Sequence, residues 1–140
     1  MSTDQNKQNV RRAFDEFINK KNLAAAEEYI AANYVGHFTG APPVQGIAAF
    51  QQYLRMWNTA MPDSTVTVED MVAEGDKLAV RVTYRGTHTG PLMNIPPTGK
   101  SVTISGINVF RFVDGKAVEQ WANVDDLGML QQMGIIPAQG

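Results

Sequence analysis

The chain has 140 residues, 12 of them Lys or Arg and 14 of them Asp or Glu, with two histidines and no cysteine. This length fits one domain over residues 1–140 that folds without a disulfide or a structural metal, and the near-balanced charge argues against nucleic-acid binding. The absence of cysteine excludes a disulfide scaffold, a thiolate zinc site and a cysteine nucleophile, and two histidines are too few for a multi-histidine metal cage.

The chain starts with a polar segment, Met1–Lys7, that lacks the apolar core of a secretory signal. No apolar run approaches the roughly 20 residues that a membrane span requires. We therefore expect a cytoplasmic protein with no membrane partner. Neither an internal repeat nor a linker divides the sequence, which again favours one domain.

The first half of the sequence predicts three helices. Apolar residues recur at helical spacing over Val10–Ile18, Leu23–Ile30 and Ile47–Trp57. Asn22 is a plausible N-cap of the second helix. Pro62 follows the third stripe and predicts its end, because proline disfavours helical geometry in the residue before it.

The second half changes to an apolar period of two, which is typical of strands. The predicted strands are Val66–Val72, Leu78–Tyr84, Ser101–Val113 and Lys116–Val124. Asp114 and Gly115 form a strong hairpin signal between the last two. A short helix over Leu127–Gln131 is expected to close the chain. Helices followed by antiparallel strands predict an α+β fold with the helices packed on one face of a sheet.

A long connection, Thr87–Lys100, lies between two predicted strands and is rich in proline and glycine. Loops of this length in small domains are usually functional or disordered. Its apolar residues Leu92, Met93 and Ile95 favour a packed lid over a flexible linker. A crossover that covers the edge of the sheet is the alternative, and the sequence leaves both open.

Four motifs occur in a fixed order along the second half of the chain. They are RGTHTG at Arg85–Gly90, IPPTGK at Ile95–Lys100, RFVDGKAVEQW at Arg111–Trp121 and DDLGMLQQMG at Asp125–Gly134. With the N-terminal helices, this ordered set resembles the SnoaL-like polyketide cyclase and ester cyclase family over nearly the whole chain. The resemblance implies the nuclear transport factor two-like fold, a cone-shaped curved antiparallel sheet closed by about three helices around an apolar pocket.

The resemblance also implies an activity. Members close a ring of a polyketide-like carbonyl compound by intramolecular aldol condensation, without a metal or an organic cofactor. The implied partners are an apolar small molecule and further copies of the chain, as a dimer or tetramer formed through the sheet face that carries Arg81 and Thr83. The superfamily also contains other lyases, isomerases, epoxide hydrolases and non-catalytic binders, so the fold alone does not fix the reaction.

Asp125 is the first candidate catalytic residue. Side chains alternate along a strand, so Asp125 is expected to share one face with Trp121 and to lie at the wall of a pocket that Trp121 lines. The resemblance assigns the acid/base role to the aspartate four residues after this tryptophan. A dry cavity would raise the pKa of the aspartate towards neutral pH. The alternative is that Asp125 caps the closing helix.

Three further polar residues are candidates. His37 could move protons or donate to an enolate oxygen, or it could be a histidine satisfied by backbone. His88, in the GTHTG motif, could contact substrate or anchor the long loop. Asn108 interrupts an apolar strand and, as a buried amide, needs partners. It could hold Asp125 or a substrate carbonyl, or satisfy an irregularity beside Gly106.

Aromatic rings and methionines are the expected pocket walls, since they suit a flat polycyclic ligand. Core packing is the alternative role for the same side chains. The expected substrate-binding residues besides His88 are Tyr53, Trp57, Met93, Phe110, Trp121 and Met129.

Overall fold

The computed structural model describes residues 2–137 as four α-helices, two shorter helical turns and six strands. The helices are α1 (Thr3–Phe14), α2 (Ala26–Tyr29), α3 (Gly46–Ala60) and α4 (Asp126–Gln132). A π-helical turn, Asp15–Asn19, follows α1, and a 3₁₀ turn, Leu23–Ala25, leads into α2. The strands are β1 (Ile30–Phe38), β2 (Val44–Gln45), β3 (Thr65–Glu74), β4 (Lys77–Thr87), β5 (Ser101–Val113) and β6 (Lys116–Val124).

The strands form one curved, unclosed sheet in the order β2-β1-β6-β5-β4-β3. Strands β3 to β6 are consecutive antiparallel neighbours, and β1 pairs in parallel with β6. The predicted α+β class and the four predicted strands are confirmed. Of the helices in residues 2–137, none has both the length and the apolar character that crossing a bilayer requires.

Two strands, β1 and β2, were not expected from the sequence. Ile30 starts β1, although the apolar period had placed it at the end of the second helix. The burial of β1 does not alternate strictly, because its pairing with β6 shifts register between Ile30 and Val35. Pairing with β6, about 85 residues later in the chain, determines the conformation of β1, and a local pattern does not report such a contact.

The core lies between the helices and the concave face of the sheet. Phe14 of α1 and Phe110 of β5 meet edge to face with ring centroids 6.2 Å apart, so the first helix covers the middle of the sheet. A smaller cluster sits under the connection between β4 and β5, where Leu92 is buried with Met61 and Met129. The long loop is therefore a packed lid at its centre. It is not a crossover that covers the edge of the sheet, because the strands that it joins, β4 and β5, are neighbours in the sheet.

Candidate functional site

A cavity of about 410 Å³ lies between the helices and the concave face of the sheet. This volume is within the usual range for small-molecule sites. Five of the expected wall residues line it, and they come from α3, the lid, β5 and α4. They are Tyr53, Trp57, Met93, Phe110 and Met129.

The aromatic wall is built by one stripe of α3. Tyr53 and Trp57 are one helical turn apart, and their rings meet edge to face with centroids 6.4 Å apart. The ring of Phe38, at the end of β1, stacks on Tyr53 at 4.0 Å. These flat surfaces fit a planar ligand better than a branched aliphatic one.

A chain of neutral polar side chains crosses the concave face of four adjacent strands. The Tyr34 hydroxyl donates to Gln120 Oε1 at 2.6 Å, and Gln120 Nε2 donates to Asn108 Oδ1 at 2.9 Å. Asn108 Nδ2 then donates to the Tyr84 hydroxyl at 3.5 Å. We call these four residues the polar relay; Gln120, Asn108 and Tyr84 line the cavity. Burial raises the pKa of Tyr84 to about 12 and raises the pKa of Tyr34 as well.

One carboxylate lines the cavity in the part of the chain that the structure describes. Asp126 is the first residue of α4 and is partly buried beside Met129 and Leu130. Burial raises its pKa, and the negative charge of the adjacent Asp125 raises it further. Asp126 therefore has the raised pKa and the position at the cavity wall that were expected of Asp125.

Asp125 itself is exposed and is the N-cap of α4. Its Oδ1 accepts the backbone N–H of Gly128 at 2.9 Å, and it does not line the cavity. The expected position of Asp125 at the cavity wall is thus corrected, and so is that of Trp121. The alternation along β6 was right, but Gln120, Ala122 and Val124 are the residues on the cavity side.

His37 also lies outside the cavity, on the convex face. Its Nε2 donates to Glu119 Oε2 at 2.8 Å, and its ring stacks on Trp121 with centroids 5.7 Å apart. Arg111 donates to the other oxygen of Glu119 at 3.3 Å. The hydrogen bond from His37, followed by the contact with Arg111, lowers the pKa of Glu119. These four residues form what we call the outer cluster, so the expected place of His37 near a substrate is corrected.

His88 is fully buried and holds the lid in place. Its Nδ1 accepts from the backbone N–H of Thr98 at 3.2 Å and from the Thr98 hydroxyl at 2.9 Å. Its backbone N–H donates to Lys100, and its carbonyl accepts from Gly99. His88 does not line the cavity, so its expected substrate contact is corrected and the anchoring role is the one observed.

The family model for the SnoaL-like polyketide cyclases matches residues 8–133, nine tenths of the chain. The chain belongs to the SnoaL-like polyketide cyclase family. Comparison with curated proteins gave no match.

Solved structures agree with this family assignment. A protein from Jannaschia sp. CCS1, provisionally assigned as a SnoaL-like polyketide cyclase, is 25% identical with a TM-score of 0.89, and the match covers 96% of this chain and 95% of that one. IdmH from Streptomyces antibioticus, provisionally assigned as a polyketide cyclase, is 32% identical with a TM-score of 0.81, over 93% and 99% of the two chains. AclR from Streptomyces galilaeus, provisionally assigned as a hydroxylase, is 27% identical with a TM-score of 0.87, over 99% and 87%.

The polar cavity residues that sequence reasoning missed include Tyr84, Gln120 and Asp126. A signal for Gln120 was present. Asn108 is a buried amide that needs a partner, and the hairpin between β5 and β6 places Gln120 opposite Phe110, diagonal to Asn108. No comparable signal separates Asp126 from Asp125, because the strand ends at Val124 and the face of the next residues depends on the helix that follows.

Within residues 2–137, no group of three or more His, Asp or Glu side chains is placed to hold a metal ion. Among the residues that the structure describes, the polar groups bordering the cavity are the Asp126 carboxylate, phenols, amides, two hydroxyls and the exposed Arg85 guanidinium. Such a set can exchange protons and donate hydrogen bonds.

Proposed function

We propose that this protein is a cytoplasmic, single-domain, cofactor-independent cyclase that closes a ring in an apolar, polyketide-like carbonyl compound by an intramolecular aldol reaction. The observation that carries the proposal is Asp126, a carboxylate with a raised pKa in an apolar cavity that also holds neutral hydrogen-bond donors. Membership of the SnoaL-like family supports a cyclase-like role for that cavity.

Asp126 is the acid/base in this mechanism. Its carboxylate takes the proton from the carbon beside a carbonyl, and the electron pair moves to the carbonyl oxygen to give an enolate. The enolate carbon attacks a second carbonyl of the same molecule, which forms the carbon–carbon bond and an alkoxide. Asp126 returns the proton to that alkoxide. A pKa above the usual aspartate value makes the carboxylate a stronger base for the first step.

Asp125 and Asn108 have supporting roles in the proposal. Asp125 fixes the start of α4 through its cap and places a second negative charge beside Asp126. Asn108 orients a substrate carbonyl from the floor of the cavity. His37 has no step in this mechanism, because its ring lies on the convex face with Glu119 and Trp121.

The two adjacent aspartates give a matched test. The probe is 2-tetralone, an apolar bicyclic ketone, and the measurement is exchange of its acidic C–H hydrogens in D₂O, followed by proton NMR. Asp126→Asn removes the base and is expected to reduce exchange by about 10²- to 10⁴-fold. Asp125→Asn keeps a side chain that caps helices well and should retain most of the rate.

Two results would contradict the proposal. If Asp125→Asn lost exchange and Asp126→Asn kept it, the base would be Asp125 and not Asp126. If the unchanged protein bound 2-tetralone and exchanged its hydrogens no faster than buffer does, the cavity would belong to a non-catalytic binder. Binding is followed through the fluorescence of Trp57, which lines the cavity, in a Trp121→Phe background that removes the other tryptophan.

An epoxide hydrolase is a weaker alternative for this cavity. That reaction calls for a second carboxylate and an arginine beside a bound water. Arg111 and Glu119 were the residues that could supply them, and they pair with each other on the convex face. Arg85 borders the cavity with an exposed side chain, but Asp126 is the one carboxylate among the described lining residues, so the second carboxylate is missing. The geometry therefore favours the cyclase.

We also propose that the convex face of the sheet forms a homodimer. A row of apolar residues crosses this face in register, from Trp121 through Val109 and Ala79 to Val72, which is 71% exposed. Exposed apolar surface of this kind marks interaction sites. Ile107, 52% exposed beside this row, gives the test: Ile107→Glu should convert a dimer to a monomer in light scattering coupled to size exclusion. A monomeric unchanged protein would contradict it.

A further inference from the structure

Each residue of the polar relay donates a hydrogen bond to the next, from Tyr34 to Tyr84. The burial of Tyr34 determines that donation runs in this direction and not in the reverse one. Tyr34 is 0% exposed, and its hydroxyl has Gln120 as its hydrogen-bond partner among residues 2–137. A buried hydroxyl hydrogen needs an acceptor, so it must point at the amide oxygen of Gln120 rather than face the amide nitrogen. The opposite orientation of Gln120 would leave that buried hydrogen without an acceptor, which is unfavourable.

This direction is passed along the relay to Tyr84. With its oxygen held by Tyr34, Gln120 presents its nitrogen to Asn108 Oδ1, and Asn108 in turn presents its nitrogen to the Tyr84 hydroxyl. Tyr84 therefore accepts a hydrogen bond through its oxygen. Its own hydrogen has no acceptor among the hydrogen bonds of residues 2–137, and the side chain borders the cavity.

We propose that the Tyr84 hydroxyl is the donor that binds the substrate oxygen on which negative charge develops when Asp126 removes the proton. This inference rests on the proposed function and extends it to a substrate group: a ketone oxygen that becomes an enolate oxygen. In that step the C–H bond breaks, its proton goes to Asp126, and the electron pair ends on the oxygen that Tyr84 faces. Tyr84 keeps its proton throughout.

Two properties of Tyr84 suit this role. Burial raises its pKa to about 12, so it remains a neutral donor at the pH where Asp126 acts as a base. Its oxygen accepts from Asn108, which limits the orientation of its hydrogen before a ligand arrives. Donors fixed in advance at the place where charge appears contribute most to stabilising such transition states.

The test measures ionisation of a bound enolate mimic, 2-naphthol, and requires no turnover. It is done in an Asp126→Asn background, since the amide resembles the neutral acid that exists after proton transfer. The ratio of bound naphtholate to bound naphthol is read from absorbance across a pH series. Adding Tyr84→Phe should lower that ratio by about 10- to 100-fold, the value of a hydrogen bond to a charged oxygen.

Two further phenol-to-phenyl changes distinguish the relay from general polarity. Tyr34→Phe leaves the Gln120 amide free to rotate by about 180° and exchange its oxygen and nitrogen. It should therefore also lower the ratio of bound naphtholate to naphthol, although Tyr84 is intact. Tyr29→Phe changes a phenol of α2 that borders the cavity but does not belong to the relay, and it should leave the ratio unchanged. Near-UV circular dichroism checks the fold of each variant, and Tyr34→Phe keeps the test decisive if Tyr84→Phe does not fold.

An unchanged ratio in Tyr84→Phe, with neutral naphthol still bound, would overturn the inference. An equal fall in Tyr29→Phe would overturn it too, as would a failure of naphthol to bind the Asp126→Asn protein. The proposed function can fail separately. If the unchanged protein did not exchange 2-tetralone hydrogens but naphthol ionisation still depended on Tyr84, the cyclase proposal would be contradicted and the donor role of Tyr84 would be supported.

Discussion

The two faces of the sheet each carry a polar network, and the networks differ in kind. On the concave face, the polar relay is neutral and mostly buried, with Asn108 1% and Gln120 6% exposed and Tyr84 partly buried. On the convex face, the outer cluster is ionic and partly exposed, with the His37 side chain 38% and the Glu119 side chain 26% accessible. Gln120 and Glu119 are neighbours in the chain, so a shift of one residue separates the two environments.

This difference shows what each network can do. Water competes with the outer cluster and weakens it, so it is expected to add little stability and no chemistry. Tyr34, Gln120 and Asn108 are buried, so the hydrogen bonds between them can hold one orientation for a ligand. The concave face also carries the Asp126 carboxylate, whose partial burial makes its proton easier to retain.

The largest expected effect on stability comes from breaking the relay at its centre. Gln120→Leu leaves the Tyr34 hydroxyl and the Asn108 carbonyl without partners, and it should lower the free energy of unfolding by about 2–4 kcal/mol. Urea denaturation measures this. Adding Tyr34→Phe removes one of the unpaired groups and should recover part of the loss; if the double variant is no better than the single one, the relay is not the cause.

A smaller effect is expected at the cap of α4. Asp125→Ala removes the acceptor for the Gly128 N–H and should destabilise the protein by about 1 kcal/mol, whereas Asp125→Asn should change it by much less. Thermal denaturation of the two variants makes the comparison. Equal losses would show that the charge of Asp125, and not its cap, stabilises this end of the helix.

Substitution of Asp126 should have the opposite effect and increase the stability of the protein at neutral pH. The folded-state pKa of Asp126 is raised, so the folded protein binds this proton more tightly than the unfolded chain, and stability falls as pH rises from the ordinary value of 3.8 through the raised value. Asp126→Asn removes that loss. The variant should therefore melt at a higher temperature than the unchanged protein at pH 7, with the gap closing below pH 3.8. A lower melting temperature at pH 7 contradicts this expectation.

The smallest effect is expected in the outer cluster. The pKa of Glu119 is lowered in the folded state, so its contribution is present above the ordinary value of 4.5 and is lost as pH falls through the lowered value. Glu119→Gln should reduce stability slightly at pH 7, less than any relay variant does, and should leave 2-tetralone exchange unchanged. A large loss of exchange would place the convex face in the mechanism after all.

The sequence predicted the elements whose pattern is local and failed where a distant partner decides. The hairpin from Ser101 to Val124 and the aromatic stripe of α3 follow from short-range periodicity, and both are present. The conformation of β1 depends on β6, and the parity of the β6 side chains depends on which face the helices cover. That parity places Gln120 in the cavity and Trp121 outside it, and the alternation of a single strand does not show which of its faces is covered. Past the end of β6, the start of α4 decides between Asp125 and Asp126.

The parallel pairing of β1 with β6 also bears on how the cavity comes into existence. Gly36 pairs with Gln120, and β1 lies between β6 and the two-residue β2, so the main pairing surface of β1 is supplied by a strand about 85 residues later in the chain. Contacts so far apart in sequence slow folding, because a long loop must close before they form. The relay, which joins Tyr34 to Gln120, is thus assembled only after β6 has joined the sheet. Ligand binding to this cavity therefore reports whether β1 has paired with β6, as well as the chemistry.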